Sequence, residues 1–215
     1  QCFATQFVEG VPVQVDNVQS FEAAGHEICS HTVSHPFLTL ISSLEADFAL
    51  EHAQTVLKRI TSPAVSIFAA PYGDYDPGII AKIKNYYNSH RAVNEGYNSK
   101  DNFDAYRLRV QNMRLGTTLD QFKIWVNKAK ADKTWLILVY HKVDVENLEI
   151  FDTQKADFDA QMAWLASAEV NVKTLAQGLA SAIEQTTPPT PPVTPPPSGG
   201  GGGGPYSGGC FGDCT

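Results

Sequence analysis

GHEICSHTVSH, residues 25–35, is the stretch on which the predicted fold depends. Its apolar part, Glu27 to Ser30, is typical of a short strand. His31 and His35 follow directly, four residues apart. Because imidazole nitrogen is a common ligand of divalent metal ions, the pair predicts a metal site at the mouth of a barrel. The alternative for the spacing alone is two surface histidines on a loop.

The composition of the 215 residues predicts one main domain. With 43% hydrophobic residues, the chain can build one sizeable core. The net charge of −7 argues against a nucleic acid or an anionic membrane as partner, because both bind clusters of Lys and Arg. No apolar run approaches the roughly 20 residues that span a bilayer, so no membrane span is predicted. The chain begins at Gln1, in a predicted strand and without Met, and we expect a fragment or a processed product.

The composition changes abruptly after Glu184. Residues 186–204 are almost entirely Pro, Thr, Ser and Gly, which predicts a linker between residues 1–185 and a tail, 205–215. The tail carries Cys210 and Cys214, and is either a plain tail or the start of a truncated second module. A spacer of this kind is typical of extracellular proteins, so we expect a secreted or cell-surface protein.

Residues 1–185 alternate β-rich runs with amphipathic helices, which predicts repeated βα units. The predicted strands are Phe3–Val8, Glu27–Ser30, Ala64–Phe68, His90–Val93, Tyr106–Val110, Thr134–Tyr140 and Val170–Lys173. The predicted helices are Val18–Ala24, Ser42 to Ile60, Asp76–Tyr87, Thr118–Lys130, Asp152–Ala168 and Thr174–Glu184. Such units form a parallel sheet with helices outside, and their number favours an α/β fold closed into a TIM-like (β/α) barrel.

Two helix starts carry local signals. Ser42 and Glu45 have the spacing of a capping box, and Asp76 with Pro77 is typical of a helix start. In the first of these helices, the large apolar residues are expected to share the core-facing side. They are Leu44, Phe48, Val56 and Ile60.

Three polar segments follow predicted strands: the histidine pair, residues 70–74 with Pro71 and Tyr72, and His141. In a βα barrel, the loops after the strands form the catalytic face, so we expect the three to converge. Taken alone, residues 71–73 are equally typical of a plain turn, and His141 of a hydrogen-bonded strand end.

At this point the sequence resembles the NodB-like polysaccharide deacetylases, carbohydrate esterase family 4, over about residues 3–180. Residues 4–8, ATQFV, are similar to the family's ATFFV-type strand, and residues 31–35 resemble its metal motif H-[ST]-x-x-H. Residues 70–73, APYG, resemble R-x-P-Y, and residues 138–141, LVYH, resemble the late strand that carries a catalytic histidine. The resemblance implies a distorted, NodB-type barrel.

The resemblance implies a metal-dependent hydrolase that removes acetyl groups from N-acetylated or O-acetylated polysaccharide. His31 and His35 would bind a divalent ion, zinc by preference, with cobalt or nickel as alternatives. His141 would be the general acid, and the backbone N–H of Tyr72 would stabilise the oxyanion. Pro71 and Tyr72 would line the substrate site, where aromatic rings such as Tyr72 stack on sugars; core packing is the better expectation for Trp135. The expected state is a monomer.

The sequence departs from the family pattern in ways that put activity in doubt. The T-F-D-D-G motif, which supplies the base and a third metal ligand, would lie upstream of Gln1, so the predicted barrel lacks its first strand. The arginine of R-x-P-Y is Ala69, and the family's D-x-x-D-W motif has no clear counterpart. Residues 106–110 could supply an arginine from another strand, although a solvated strand face is the more ordinary reading. The alternative function is a degenerate barrel that binds carbohydrate or serves a structural role.

Two further alternatives concern the same region. A metalloprotease is disfavoured, because its HExxH helix needs Glu where this chain has Thr32, and Pro36 breaks helical continuity. Cys2 and Cys29 lie in strands that could be neighbours, where a disulfide and a buried thiol are both open.

Overall fold

The computed structural model describes residues 2–5, 15–62, 65–143 and 146–186, with side chains from residue 18 onward. Its strands are β1 (Cys2–Thr5), β2 (Glu27–Ser30), β3 (Ile67–Ala69), β4 (Ser89–Glu95), β5 (Leu108–Asn112) and β6 (Leu138–Val139). Its helices are α1 (Val15–Ala23), α2 (Ser43–Ile60), α3 (Pro77–Tyr86), α4 (Leu119–Asp132), α5 (Lys155–Ser167) and α6 (Leu175–Thr186). The linker and tail expected from residue 187 onward lie outside the described residues.

The six strands form one parallel sheet in chain order, β1 to β6. Helices follow β1, β2, β3, β5 and β6, which confirms the α/β class and the repeated βα units. Within the described residues, no pairing joins β1 to β6, so the sheet is an open half-barrel. This arrangement is that of a distorted NodB-type barrel. All the strands point the same way, so their carboxyl ends share one edge.

The two faces of the sheet carry different side chains. On the outer face, residues of β2 and β3 pack against α2 and α3 in the largest apolar cluster, which includes Phe68 and Leu50. A second outer cluster packs α4 and α5 around Met113. Leu108 and Val110 of β5 belong to a separate cluster with Trp135 on the inner face, which confirms core packing for Trp135. Because side chains alternate along a strand, residues in register with these inner positions also face the barrel interior.

The local helix signals are confirmed. The Ser42 side chain accepts a hydrogen bond from the Glu45 N–H, and the Glu45 carboxylate accepts one from the Ser42 N–H, which completes a capping box. Asp76 accepts a hydrogen bond from the N–H of Ile79, with Pro77 in the first turn of α3. Each of these caps is formed by residues three apart in the sequence, so it does not depend on the rest of the fold.

The predicted buried face of α2 was wrong in its first half. Leu44 is 79% exposed and Phe48 is 62% exposed. The buried face instead carries a stripe with the same helical spacing: Ala46, Leu50, Ala53 and Leu57. The two alanines allow the helix axis to approach the sheet closely, which a pattern based on large apolar residues misses. Val56 and Ile60 are partly buried beside this stripe.

Two predicted strands differ from the structure. Of residues 134–140, only Leu138 and Val139 form β6, and Trp135 instead makes an isolated antiparallel bridge with Asn98. The predicted strand Val170–Lys173 is not a strand, and Val172 is 64% exposed. Among the described residues, no strand lies beside this exposed segment to form the backbone hydrogen bonds that a strand requires.

Cys29 lies on β2 at full burial and is disulfide-bonded. Its strand neighbour β1 pairs in parallel, with Ala4 opposite Cys29. Of the two alternatives for Cys29, a disulfide or a buried thiol, the structure shows the disulfide. None of the helices described here is long and apolar enough to cross a membrane.

Candidate metal centre

The two histidines of the motif lie together just beyond β2. The Nε2 atoms of His31 and His35 are 3.0 Å apart, and the two rings meet edge to face with centroids 4.7 Å apart. Both side chains are partly buried. The predicted convergence of the pair on one place is therefore present in the structure.

The hydrogen bond made by the Nδ1 atom of a histidine ring determines whether its Nε2 atom donates or accepts. His31 Nδ1 lies 2.7 Å from the Ala69 carbonyl oxygen, a contact that requires Nδ1–H to donate. Neutral His31 therefore presents a lone pair at Nε2. The 3.0 Å hydrogen bond between the two Nε2 atoms then needs a proton on His35 Nε2, and that proton would leave when one ion binds both nitrogens. A backbone carbonyl that fixes the tautomer is the usual support of a metal-binding imidazole.

The electrostatic surroundings keep both rings neutral. Burial lowers the pKa of His31 to about 4, and the charges of Arg91, His35 and His141 act in the same direction. Burial also lowers the pKa of His35. A metal ion binds the neutral imidazole, so these shifts suit a ligand pair.

The residues present fit a shared divalent ion in part. Two nitrogens that each lie about 2.1 Å from one ion can be at most about 4.2 Å apart, and the 3.0 Å separation satisfies this limit. Within the described ranges, however, no group of three or more His, Cys, Asp or Glu side chains could hold an ion. A third protein ligand therefore does not come from these residues.

The loop that carries the pair is held in a strained conformation. Thr32 and His35 both have positive φ, 63° and 54°, which is uncommon for residues other than glycine. Thr32 is fully buried, and its hydroxyl accepts a hydrogen bond of 3.1 Å from the His35 N–H. Strain of this kind persists where the surroundings impose it, as at functional sites. Here it turns His35 back towards His31.

Residues 71–73, after β3, form a short 3₁₀ turn beside the pair. Tyr72 has a φ of 57°, and its ring lies edge-on to His35 with centroids 4.4 Å apart. Pro71 is buried, whereas Tyr72 is 57% exposed. The structure therefore brings Tyr72 to the histidine pair; the oxyanion role of its N–H stays a prediction.

His141 follows β6 at the same edge of the sheet. It is close enough for its charge to affect the pKa of His31, so it belongs to the same group of side chains. Burial lowers the pKa of His141, the positive charge of Arg91 adds to this effect, and the charge of Asp152 opposes it. Its role as general acid stays a prediction.

Sequence reasoning missed Asp152. The segment after His141 pairs with the residues that precede α5, through a bridge between Val143 and Thr153. This pairing brings Asp152, 2% exposed, within electrostatic reach of His141. One Asp152 carboxylate oxygen accepts the N–H of Glu149. No sequence motif marks Asp152, because its position depends on a contact outside any regular element.

Sequence reasoning also missed Arg91. It stands directly opposite Ala69 in the register of β3 and β4, and opposite Leu108 of the inner face. Arg91 therefore faces the barrel interior, and burial lowers its pKa to about 10. Its side chain donates a hydrogen bond of 3.4 Å to the Ala92 carbonyl, and no salt bridge to it occurs among the described residues.

For residues 106–110, the structure agrees with the favoured interpretation, a solvated strand face, and their arginines do not reach the site. Arg107 is exposed and pairs with Asp104 at 2.9 Å. Arg109 lies against Gly96 at the surface, on the opposite face of β5 from Leu108. The interior arginine comes instead from the strand next to Ala69.

Comparison with known proteins finds similarity over part of the chain. Residues 1–88, which include both histidines and Tyr72, match the family model described as polysaccharide deacetylase. Over 75 residues, this chain is 35% identical to chitin deacetylase 2 of Cryptococcus neoformans var. grubii. That alignment covers 34% of this chain and 16% of the curated relative.

Two solved structures support the fold across most of the chain. The chitin deacetylase of the fungal pathogen Colletotrichum lindemuthianum has a TM-score of 0.52 at 17% identity, over 82% of this chain and 74% of that one. The Xyl-CE4 domain of a multidomain xylanase, from the hindgut metagenome of Trinervitermes trinervoides, has a TM-score of 0.51 at 16% identity. The alignment covers 84% of this chain and 76% of the xylanase domain. At these identities the likeness shows the polysaccharide deacetylase fold alone.

Proposed function

We propose that this chain is part of a metal-dependent hydrolase that removes acetyl groups from an N-acetylated or O-acetylated polysaccharide. The observation that carries the proposal is the approach of the His31 and His35 Nε2 atoms to 3.0 Å, in a segment that matches the family model described as polysaccharide deacetylase. The names of the relatives support a glycan as substrate, since two of them are chitin deacetylases.

In this proposal, His31 and His35 hold a divalent ion, most suitably zinc. The bound ion supplies Lewis acidity, which polarises the acyl carbonyl and lowers the pKa of water. The Ala69 carbonyl keeps His31 in the required tautomer, and Thr32 fixes the direction of His35. The third ligand and the catalytic base are carboxylates from sequence upstream of Gln1, as in the family pattern.

His141 donates a proton to the leaving amine or alkoxide. A general acid must be protonated before the step; burial and Arg91 lower the pKa of His141, and the negative charge of Asp152 is what favours its protonated form. The N–H of Tyr72 donates a hydrogen bond to the oxyanion. Its place beside His35 supports this assignment. Pro71 and Tyr72 together line the entrance for the sugar.

Arg91 replaces the arginine that the R-x-P-Y motif lacks at Ala69. A guanidinium in the barrel interior needs an anionic partner, because an unpaired charge away from water is costly. The register supports Arg91, since it lies directly opposite Ala69 and on the same face of the sheet. Its partner in the proposal is the upstream base carboxylate.

The remaining parts of the proposal concern where the protein works. It is a secreted or cell-surface monomer that binds polysaccharide. The disulfide at Cys29 supports an oxidising compartment, in which such bonds persist. The Pro- and Gly-rich segment 186–204 supports a spacer to another part of an extracellular protein.

The test measures acetate released from N-acetylglucosamine oligomers with zinc present, using the chain with its upstream sequence. We expect turnover, and a loss of about 100-fold or more in His141→Ala with zinc binding retained. His31→Ala should lose both zinc and activity. His52→Ala is the matched control, because His52 is an exposed histidine of α2 and should change neither.

Three results would contradict the proposal. If the extended protein binds zinc and oligomers but releases no acetate from N- or O-acetylated glycans, the degenerate binding barrel is the better description. If His141→Ala loses zinc as fully as His31→Ala does, His141 is a ligand rather than the acid. If the chain without upstream sequence is equally active, the upstream carboxylates are not needed.

A further inference from the structure

An exposed pair of stacked aromatic rings lies next to the histidine pair. The rings of Phe37 and Tyr72 are nearly parallel, at 6°, with centroids 3.9 Å apart. Phe37 is 44% exposed and Tyr72 is 57% exposed. Leu40, whose N–H bonds the Phe37 carbonyl three residues earlier, is 78% exposed. Large apolar side chains in contact with each other at the surface usually mark a binding site.

The pair is connected directly to the candidate metal centre. Tyr72 contacts the His35 ring with its edge, at a centroid distance of 4.4 Å, while it stacks on Phe37. Phe37 is therefore one ring further from the centre than Tyr72. A ligand that covers Phe37 would extend away from the atoms that His31 and His35 hold.

A carboxylate fastens the two loops that carry these rings. Asp74 accepts two hydrogen bonds of 2.7 Å from Thr39, one from its N–H and one from its hydroxyl. Within each loop, Leu40 N–H bonds the Phe37 carbonyl, and Asp74 N–H bonds the Pro71 carbonyl. The relative position of the rings is thus set before any ligand arrives, which reduces the entropic cost of binding. It also commits both Asp74 oxygens to Thr39.

We propose that Phe37, held by its stack on Tyr72, offers its outer ring face as an aromatic platform for a pyranose ring of the glycan, adjacent to the sugar that carries the acetyl group. The proposal rests on the proposed function for the identity of the ligand. The apolar C–H face of a pyranose fits a flat aromatic surface, whose ring faces carry partial negative charge. Among ligands of an acetyl-glycan hydrolase, the sugar chain presents such faces in a row.

The matched control is Phe48, on α2. It is 62% exposed and stacks on His52 at 10°, with centroids 5.1 Å apart, so it offers a similar surface outside the site. The variants are Phe37→Ala, Phe37→Leu and Phe48→Ala. Phe37→Leu keeps an apolar side chain and removes only the aromatic face, so it separates stacking from loop packing.

The experiment measures the binding of the N-acetylglucosamine tetramer to the whole chain by NMR chemical-shift titration, without metal. We expect Phe37→Ala to weaken binding by about tenfold, and Phe37→Leu nearly as much. Phe48→Ala should stay within about twofold of the parent chain. Melting curves of all four proteins establish that each is folded.

Three results would overturn the platform: no binding of the tetramer by the parent chain, equal affinity of Phe37→Ala and the parent, or equal losses in Phe37→Ala and Phe48→Ala. Failure of the proposed function gives a different pattern. In that case the extended protein releases no acetate, yet the tetramer still shifts the resonances of Phe37 and Tyr72, and Phe37→Ala still weakens its binding.

Discussion

At the residue scale, His141 lies between two opposing charges. The pKa of its ring is lowered by burial and by Arg91 and raised by Asp152. Arg91→Gln should therefore raise the pKa of His141, and Asp152→Asn should lower it. NMR titration of the imidazole resonances in the metal-free chain measures both shifts. Two shifts of the same sign would mean that the variants act by rearranging the site rather than through charge.

His90 is the second titratable group that the structure makes testable. It is fully buried on β4, its Nδ1 lies 2.9 Å from the Tyr106 carbonyl, and its ring packs on Phe68 and Tyr75. Burial lowers its pKa to about 4; the charges of Arg91 and Arg107 also lower it, while that of Asp104 and the Tyr106 hydrogen bond oppose the shift. In the unfolded chain, a histidine titrates near pH 6.5.

Folding stability should consequently fall as the pH drops from 6.5 to 4. In this window the unfolded chain takes up a proton at His90 that the folded chain does not, with a cost of up to about 3 kcal/mol at the acid end. Urea unfolding at several pH values measures the loss. His90→Gln should reduce the slope, whereas exposed His52→Gln should leave it unchanged. An unchanged slope in His90→Gln would show that His90 is charged when folded.

Which site residues could be predicted depends on how locally each is positioned. His31, His35, Tyr72 and His141 directly follow strands, so recognising the strands was enough to place them at one edge. Arg91 needed the register between β3 and β4, which places it opposite Ala69. Register follows from side-chain packing across the whole sheet, and no short motif encodes it.

At the element scale, α2 carries two sets of apolar residues, one buried and one exposed. Leu50 is fully buried against the sheet, and Leu44 is 79% exposed. Leu50→Ala should lower the free energy of unfolding by about 2–5 kcal/mol, because it removes packed atoms and leaves a cavity. Leu44→Ala should change it by less than about 0.5 kcal/mol. Chemical denaturation of both variants measures the change. Equal losses in the free energy of unfolding would contradict the observed buried face.

The same helix explains why element positions are easier to predict than element faces. The start of α2 depends on Ser42 and Glu45, which bond each other without help from the remainder of the fold. Its buried face depends on how α2 packs on the sheet, and that face includes two small residues, Ala46 and Ala53, which a search for large apolar residues does not find. The strand predicted over residues 134–140 is shortened to β6 for a similar reason. A strand extends only as far as a neighbouring strand pairs with it.

At the scale of the whole molecule, both proposed histidine ligands lie in one loop. His31 and His35 belong to the segment between β2 and α2, so an ion held by these two alone would link no distant parts of the chain. Within the described residues the half-barrel stays open between β1 and β6. A third ligand from a further strand would connect that strand to the sheet, which joins metal binding to folding.

Zinc should therefore stabilise this chain only weakly. A ligand that binds the folded state raises stability in proportion to the logarithm of its concentration over its dissociation constant. With two ligands, we expect a binding free energy smaller in magnitude than the roughly 10 kcal/mol at the lower end for complete structural zinc sites. Calorimetry and melting curves with added zinc measure both quantities. The small rise in melting temperature should vanish in His31→Ala and His35→Ala and persist in His52→Ala. If the third ligand comes from a further strand, as we propose, a protein that includes this strand should show a larger rise. Binding by the shorter chain as tight as that of a complete site would mean that a third ligand lies within the 215 residues.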